Sequence, residues 1–228
     1  MRRDRERAMQ PFCAAAVLAS LAFFGCEGGC RGNTPTPFDP AVGFEPLEPV
    51  TDLAYPAPSN GDSYPEALNT TGGSIPAYDW AHGAAYVHAP IADVYTALAD
   101  PVVDRIHGTD WVVNGATEPG FPITFAIDYS AGPALFRVYW TIAYRGGVAA
   151  GTPDAPEEVG MRLQKISGTN YIPIQTGSVD VFDAGDGVSA LLFVKHLSAY
   201  DQGPDDARAG IADWFDGIVA RVHGQPVP

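Results

Sequence analysis

Residues Ala84 to Asp100 read AAYVHAPIADVYTALAD, and this stretch decides the fold. A short strand runs through Ala89-Pro90 directly into an amphipathic helix. Pro90 suits the first turn of a helix, where its missing N–H is not needed. Behind it Ile91, Val94, Tyr95 and Leu98 recur at helical spacing. Asp100-Pro101 then breaks the chain, and a second short helix is expected over Val102 to Ile106, ending at Gly108.

Working outward toward the C-terminus, strand patterns follow almost without interruption. Trp111 to Ala116 is short. Pro122 to Tyr129 alternates, with Ile123, Phe125, Ile127 and Tyr129 on one face. Ala134 to Tyr144 sets Phe136, Val138, Trp140, Ile142 and Tyr144 against Arg137, Thr141 and Arg145. Gly160 to Ile166, Ile172 to Phe182 and Val188 to Tyr200 complete the series, and Asp186-Gly187 between the last two is a strong hairpin signal. The final element is a helix over Pro204 to Gly224. Asp205 and Asp206 sit in its first turn, where carboxylates suit the helix dipole. Ala207, Ile211, Trp214, Phe215, Ile218 and Val222 form one apolar stripe. The order predicts an α+β domain, with a long helix laid across a curved antiparallel sheet.

Working outward toward the N-terminus, the chain changes character. Arg2, Arg3, Arg5 and Arg7 outnumber Asp4 and Glu6, and an apolar run from Pro11 to Phe24 follows. This is the layout of a secretory leader, expected over residues 1–25. Its end, Gly25-Cys26, resembles a bacterial lipoprotein signal, although Phe23 and Phe24 depart from the usual small and aliphatic residues there. The resemblance implies lipid attachment at Cys26, a membrane anchor and a place in the bacterial cell envelope. Ordinary cleavage near Gly25 or Gly29 is the alternative. Residues 26–77 are rich in Pro and Gly without periodicity, so they read as a tether. The alternative is that part of it, Val50 to Tyr55, packs on the domain as an irregular arm. The domain itself is expected over 78–228.

The chain of 228 residues has a formal net charge of −14, and loss of the Arg-rich leader makes it more acidic still. A phosphate backbone needs a basic surface to displace its counterions, which argues against nucleic acid as a partner. The cysteines are Cys13, Cys26 and Cys30, all in or beside the leader, which excludes thiol catalysis and Cys-based zinc sites in the domain. There is no Gly-x-Ser-x-Gly elbow and no phosphate-binding glycine loop. His82 and His88 lack evident partners for a metal. Asp180, Asp183 and Asp186 lack the calcium-loop order of ligands, and read as a solvated hairpin. His107 and Asp110 flank a turn, as an acid–base pair or as loop caps. No cofactor or metal is expected.

The whole domain resembles the START-like superfamily, also called SRPBCC, which includes polyketide cyclase/dehydrase-like proteins. The resemblance is carried by Ala89-Pro90-x-x-x-Val94-Tyr95-x-x-Leu98-x-Asp100-Pro101, by Ser167-Gly168-Thr169 leading to Gly177-Ser178, by the Asp186-Gly187 hairpin, and by the last helix with Trp214 and Phe215. It covers about Gly83 to Gly224. It implies a helix-grip fold with a sheet of about seven strands, closing on an apolar cavity for a hydrophobic small molecule or lipid. The superfamily has no universal catalytic residues, so none is carried over. The residues expected to line a cavity are Phe125, Ile127, Trp140, Tyr144, Leu163, Phe193, His196, Trp214 and Ile218; the alternative is that they fill a core. Phe193 and His196 cannot share one face of a regular strand. The functional expectation is ligand binding, with a cyclase or hydratase using His196 or a tyrosine as base, or a non-catalytic envelope interaction domain, as alternatives.

Overall fold

The structure is a computed structural model that describes residues 32–33, 38–39, 42–115 and 118–228. The leader, Cys26 and the first part of the expected tether lie outside them. Among the described residues nine strands form one antiparallel sheet: β1 (Gly32–Asn33), β2 (Leu68–Ser74), β3 (Asp79–Val87), β4 (Asp110–Asn114), β5 (Ile123–Ala131), β6 (Val138–Thr152), β7 (Ala155–Thr169), β8 (Ile174–Gly185) and β9 (Val188–Ser198). The path across the sheet is β2-β3-β9-β8-β7-β6-β5-β4, and the two-residue β1 pairs with β7. Helix α1 spans Ile91–Leu98 and α2 spans Pro204–Val222.

The sheet therefore has one full strand more than the seven expected. That strand is β2, which pairs with β3 along its whole length, from Leu68 opposite Ala85 to Ser74 opposite Asp79. The sheet thus begins ten residues before position 78, inside the stretch read as a tether. The second short helix is a 3-10 turn over Pro101–Asp104, capped by Asp100, whose carboxylate accepts from Val102 N–H at 3.1 Å. Ala134–Phe136 is also a 3-10 turn rather than the start of a strand.

Curvature comes from β-bulges between β6 and β7, at Thr141/Ile142 and again at Val148 to Gly151, since a bulge bends and twists the strand that carries it. Gly168 sits opposite Trp140 with φ +124°, and a Cβ there would lie 2.3 Å from the Tyr139 carbonyl oxygen. Only glycine tolerates that conformation and approach.

Helix α2 packs over β2, β3 and β9 and reaches the 3-10 turn and α1. The inward positions of β3 explain how it comes so close. Ala81, Gly83 and Ala85 are small, and a Cβ on Gly83 would meet Ile211 at 2.8 Å. The inner face is apolar: Ile127, Ile142, Val179, Leu191, Phe193, Ile211 and Ile218 are all fully buried.

The outer face is also covered. Residues 42–66 lie along it as an irregular arm, the second of the two readings for this stretch. Arg145 grips the arm, donating from Nη1 to the carbonyls of Asp39 (2.8 Å) and Val42 (2.6 Å). Its guanidinium also stacks on Phe38 and Phe121 and pairs with Glu118. Leu47 N–H donates to Ser178 Oγ at 3.0 Å, and Tyr55 stacks on Tyr86 at 4.9 Å. Under the arm, burial pushes the Asp180 carboxyl up to about 7, with Glu158 adding to the effect and Arg162 opposing it.

Candidate functional site

Eight of the nine residues expected to line a cavity sit on the inner side. Phe125, Ile127, Trp140, Tyr144, Leu163, Phe193, Trp214 and Ile218 are buried and belong to one apolar cluster between the sheet and α2. Phe125 stacks on Tyr144 at 4.5 Å, Tyr129 on Trp140 at 5.3 Å, and Phe193 meets Trp214 edge-on at 5.6 Å. These rings pack against one another, so the middle of the interior is a core.

His196 is the exception, and its expected place among them is corrected. Phe193 points inward, so strand alternation turns His196 outward. There it stacks on Tyr78 at 4.2 Å and faces Glu48 at 3.3 Å. Its neighbour His82 is held by the arm on both sides, with Nδ1 2.6 Å from Asp52 and Nε2 2.8 Å from Glu48. Burial works against the Glu48 carboxylate, but bonds from His82 and His196 outweigh it and hold the group below its usual range. Glu48, Asp52, Tyr78, Trp80 and His82 border a surface pocket of about 330 Å³. The cluster fastens the arm to the sheet.

The other histidines are also placed. His88 Nε2 lies 2.8 Å from the Tyr64 carbonyl, and His107 faces Asp213 at 3.7 Å rather than Asp110, which pairs with Arg137. Asp183 caps the hairpin by accepting from Gly185 N–H at 2.9 Å. Among the described residues, no three or more His, Cys, Asp or Glu are placed to hold a metal ion.

A polar seam runs through the apolar interior, and it was largely missed in the sequence. Asp104, only 9% exposed, accepts a 2.9 Å hydrogen bond on Oδ2 from the Tyr144 hydroxyl. Its main-chain carbonyl accepts another, at 3.0 Å, from Tyr129. Burial pushes the Asp104 carboxyl up to about 6, even though Lys195 and the Tyr144 bond pull it down. Burial and the nearby carboxylate hold the Tyr144 hydroxyl far above its ordinary value, so it stays protonated and donates. The Trp140 indole N–H is buried without a partner. Lys195 and Lys165 are the two inward lysines of β9 and β7. Lys165 donates to the carbonyls of Thr169 (3.0 Å) and Ile172.

The seam leads toward one end of the sheet. The β2–β3, β5–β6, β7–β8 and β9–α2 connections all emerge there, because the strands are antiparallel. They carry most of the exposed large apolar side chains: Ile75, Leu135, Phe136, Tyr171 and Tyr200, the last 77% exposed. An apolar depression of about 440 Å³ opens at this end, lined by Asn170, Tyr171, Pro173, Ser198, Ala199 and Tyr200. Its walls are tied together: Tyr200 N–H donates to the Tyr171 carbonyl at 2.8 Å, and the two rings meet edge-on at 6.2 Å. The signal for it in the sequence was slight. Both tyrosines sit just beyond strand ends, beside turn residues that break the alternation.

Neither a protein-family model nor a curated protein sequence matches this chain. Among solved structures, it is similar to the human StarD13 lipid transfer and protein localization domain, with a TM-score of 0.48 at 11% identity over 71% of this chain and 85% of that one. Human STARD10 gives a TM-score of 0.49 at 6% identity over 70% of this chain and 71% of its own. The Zhui aromatase/cyclase from a Streptomyces species gives 0.40 at 14% identity over 69% and 93%. A fold of this kind hosts unrelated chemistries, and side chains decide between them.

Proposed function

We propose that this protein is an exported START-like domain that binds a hydrophobic small molecule or lipid between α2 and the sheet, reached through the loop-end depression. The observation that carries this is the pairing of two features: an open apolar depression ringed by exposed Tyr171 and Tyr200, and an interior polar seam behind it. Ionisable groups in a core cost stability unless they serve another purpose. A largely apolar site with a few convergent polar groups is the usual form of a small-molecule site. The Arg-rich leader and Gly25-Cys26 support export and lipid attachment, and with them a place in the cell envelope.

The test is to purify the full chain in folded form and extract it with organic solvent for mass spectrometry, alongside uptake of an environment-sensitive apolar dye. A hydrophobic compound recovered in near-stoichiometric amount, or saturable dye uptake, is expected. Folded protein that yields no compound and takes up no dye overturns the proposal.

One observation favours a second reading, catalysis on the bound molecule. Asp104 has a carboxyl raised toward neutral pH beside a protonated Tyr144, an arrangement suited to proton transfer. In that case Asp104 is the base and Tyr144 the donor, while His196 on the outer face takes no part. Asp104→Asn would then abolish turnover and leave binding intact.

A further inference from the structure

We infer that Lys195 is the head-group receptor of this domain, and that its ligand is a hydrophobic chain ending in a carboxylate. This rests on the reading that the domain holds a hydrophobic molecule. Lys195 is only 7% exposed. The residues packed directly around it bring no side-chain acceptor. Its neighbours across the sheet are Ala81 on β3 and Gly177 on β8, and above it lies Gly210 of α2, where a Cβ would sit 2.0 Å from Nζ.

No hydrogen bond or ion pair within 4.0 Å joins Lys195 to any described residue. Lys165, by contrast, spends its ammonium on two loop carbonyls. Asp104 feels the Lys195 charge through space, yet its carboxylate is engaged by Tyr144. An ammonium held in so enclosed a place without a protein hydrogen-bond partner is poorly solvated, and enclosed polar groups are almost always paired, which carries a cost. A ligand that brings its own acceptor removes that cost.

The chemistry of the ligand follows from what is unspent. Both tyrosine hydroxyls of the seam are committed as donors to Asp104. The unspent donor at this point of the sheet is the Lys195 ammonium, in register with Gly177 on β8. A carboxylate meets a donor that carries a positive charge, an alcohol offers one neutral bond, and an amine brings a like charge. The position also fits. Lys195 lies three residues along β9 from Ser198 in the wall of the depression, about 10 Å inward. A chain anchored at Nζ and directed along β9 toward this end of the sheet reaches Pro173, Ala199 and Tyr200.

The experiment compares decanoate, decanol and decylamine with the full chain by calorimetry and intrinsic tryptophan fluorescence. Decanoate is expected to bind about ten- to a hundredfold more tightly than decanol, the gain of a charge-assisted hydrogen bond, with decylamine weakest. Lys195→Met is expected to bring decanoate down to the level of decanol and leave decanol unchanged. Gly210→Ala, which displaces the ammonium without removing it, is expected to weaken decanoate alone, and serves if Lys195→Met fails to fold. Equal binding of all three probes, or equal loss of decanoate and decanol in either variant, overturns the inference while leaving hydrophobic binding in place. Binding of none of the three overturns both.

Discussion

Asp104→Asn tests whether the interior polar seam costs this fold stability. Burial raises the carboxyl from 3.8 to about 6; Lys195 and Tyr144 oppose that rise, and Asp213 on α2 adds to it. Converted at about 1.4 kcal/mol for each pH unit, the difference is about 3 kcal/mol. The folded protein binds this proton more tightly than the unfolded chain does. The cost of ionisation is therefore absent below pH ~4, grows between about 4 and 6, and is constant above. Asn keeps an oxygen acceptor for Tyr144 and has no proton to lose. The variant is thus expected to gain on the parent by about 3 kcal/mol between pH 4 and pH 7, whatever its offset at the acid end. Urea denaturation read by the fluorescence of buried Trp140 and Trp214 measures this, with both proteins compared at pH 4.5, 6 and 8. A difference that stays constant across that range refutes the reasoning. One that moves in the parent's favour with rising pH shows instead that ionised Asp104 stabilises the fold through Lys195.

Two further outcomes follow from the geometry. His82→Ala removes the bonds to Glu48 and Asp52 and leaves Glu48 with His196 alone; with partners partly in solvent this weakens arm docking by about 2 kcal/mol. Hydrogen exchange at Leu47 N–H is then expected to speed up roughly 30-fold, with α2 unaffected, and unchanged exchange would mean the arm is held elsewhere. Gly168→Ala forces a side chain onto the Tyr139 carbonyl at a left-handed position, and a loss of 2 kcal/mol or more is expected in the urea midpoint. A loss below about 0.5 kcal/mol would show that the β6–β7 ladder yields there.

The parts of the fold legible in the sequence were those whose burial is one-sided and periodic. Ile123, Phe125, Ile127 and Tyr129 alternate because β5 has one face against the core. The α2 stripe and the Asp186-Gly187 hairpin are local in the same way. Strand β2, LNTTGGS, carries no such pattern because its place depends on backbone pairing with β3 rather than on buried side chains. The arm was legible only as one of two readings, for a related reason: its contacts are single bonds to distant residues. Its presence also blurred β9, where Leu192 and Val194 face outward and Leu191 and Phe193 inward. With both faces covered, alternation cannot say which one holds the core, so Phe193 and His196 stood together as candidates although only one turns inward. Lys195 shares the face of Leu191 and Phe193, so its inward turn followed once that face was fixed; Asp104 was harder, since an aspartate after a helix reads as solvated until topology encloses it.

The arm has a consequence for how the chain acquires its shape. Its contacts span long loops: Leu47 reaches Ser178 across 131 positions, and Arg145 holds Asp39 across 106. Closing such loops is slow, and their reward comes only once the distant strands exist. During synthesis the arm leaves the ribosome before β6 to β9 have been made, and it has nothing to bind until they pair. A segment made before every long strand is therefore among the last to dock, and until it does, the outer face bearing Arg145, Ser178 and Asp180 stands open to other chains.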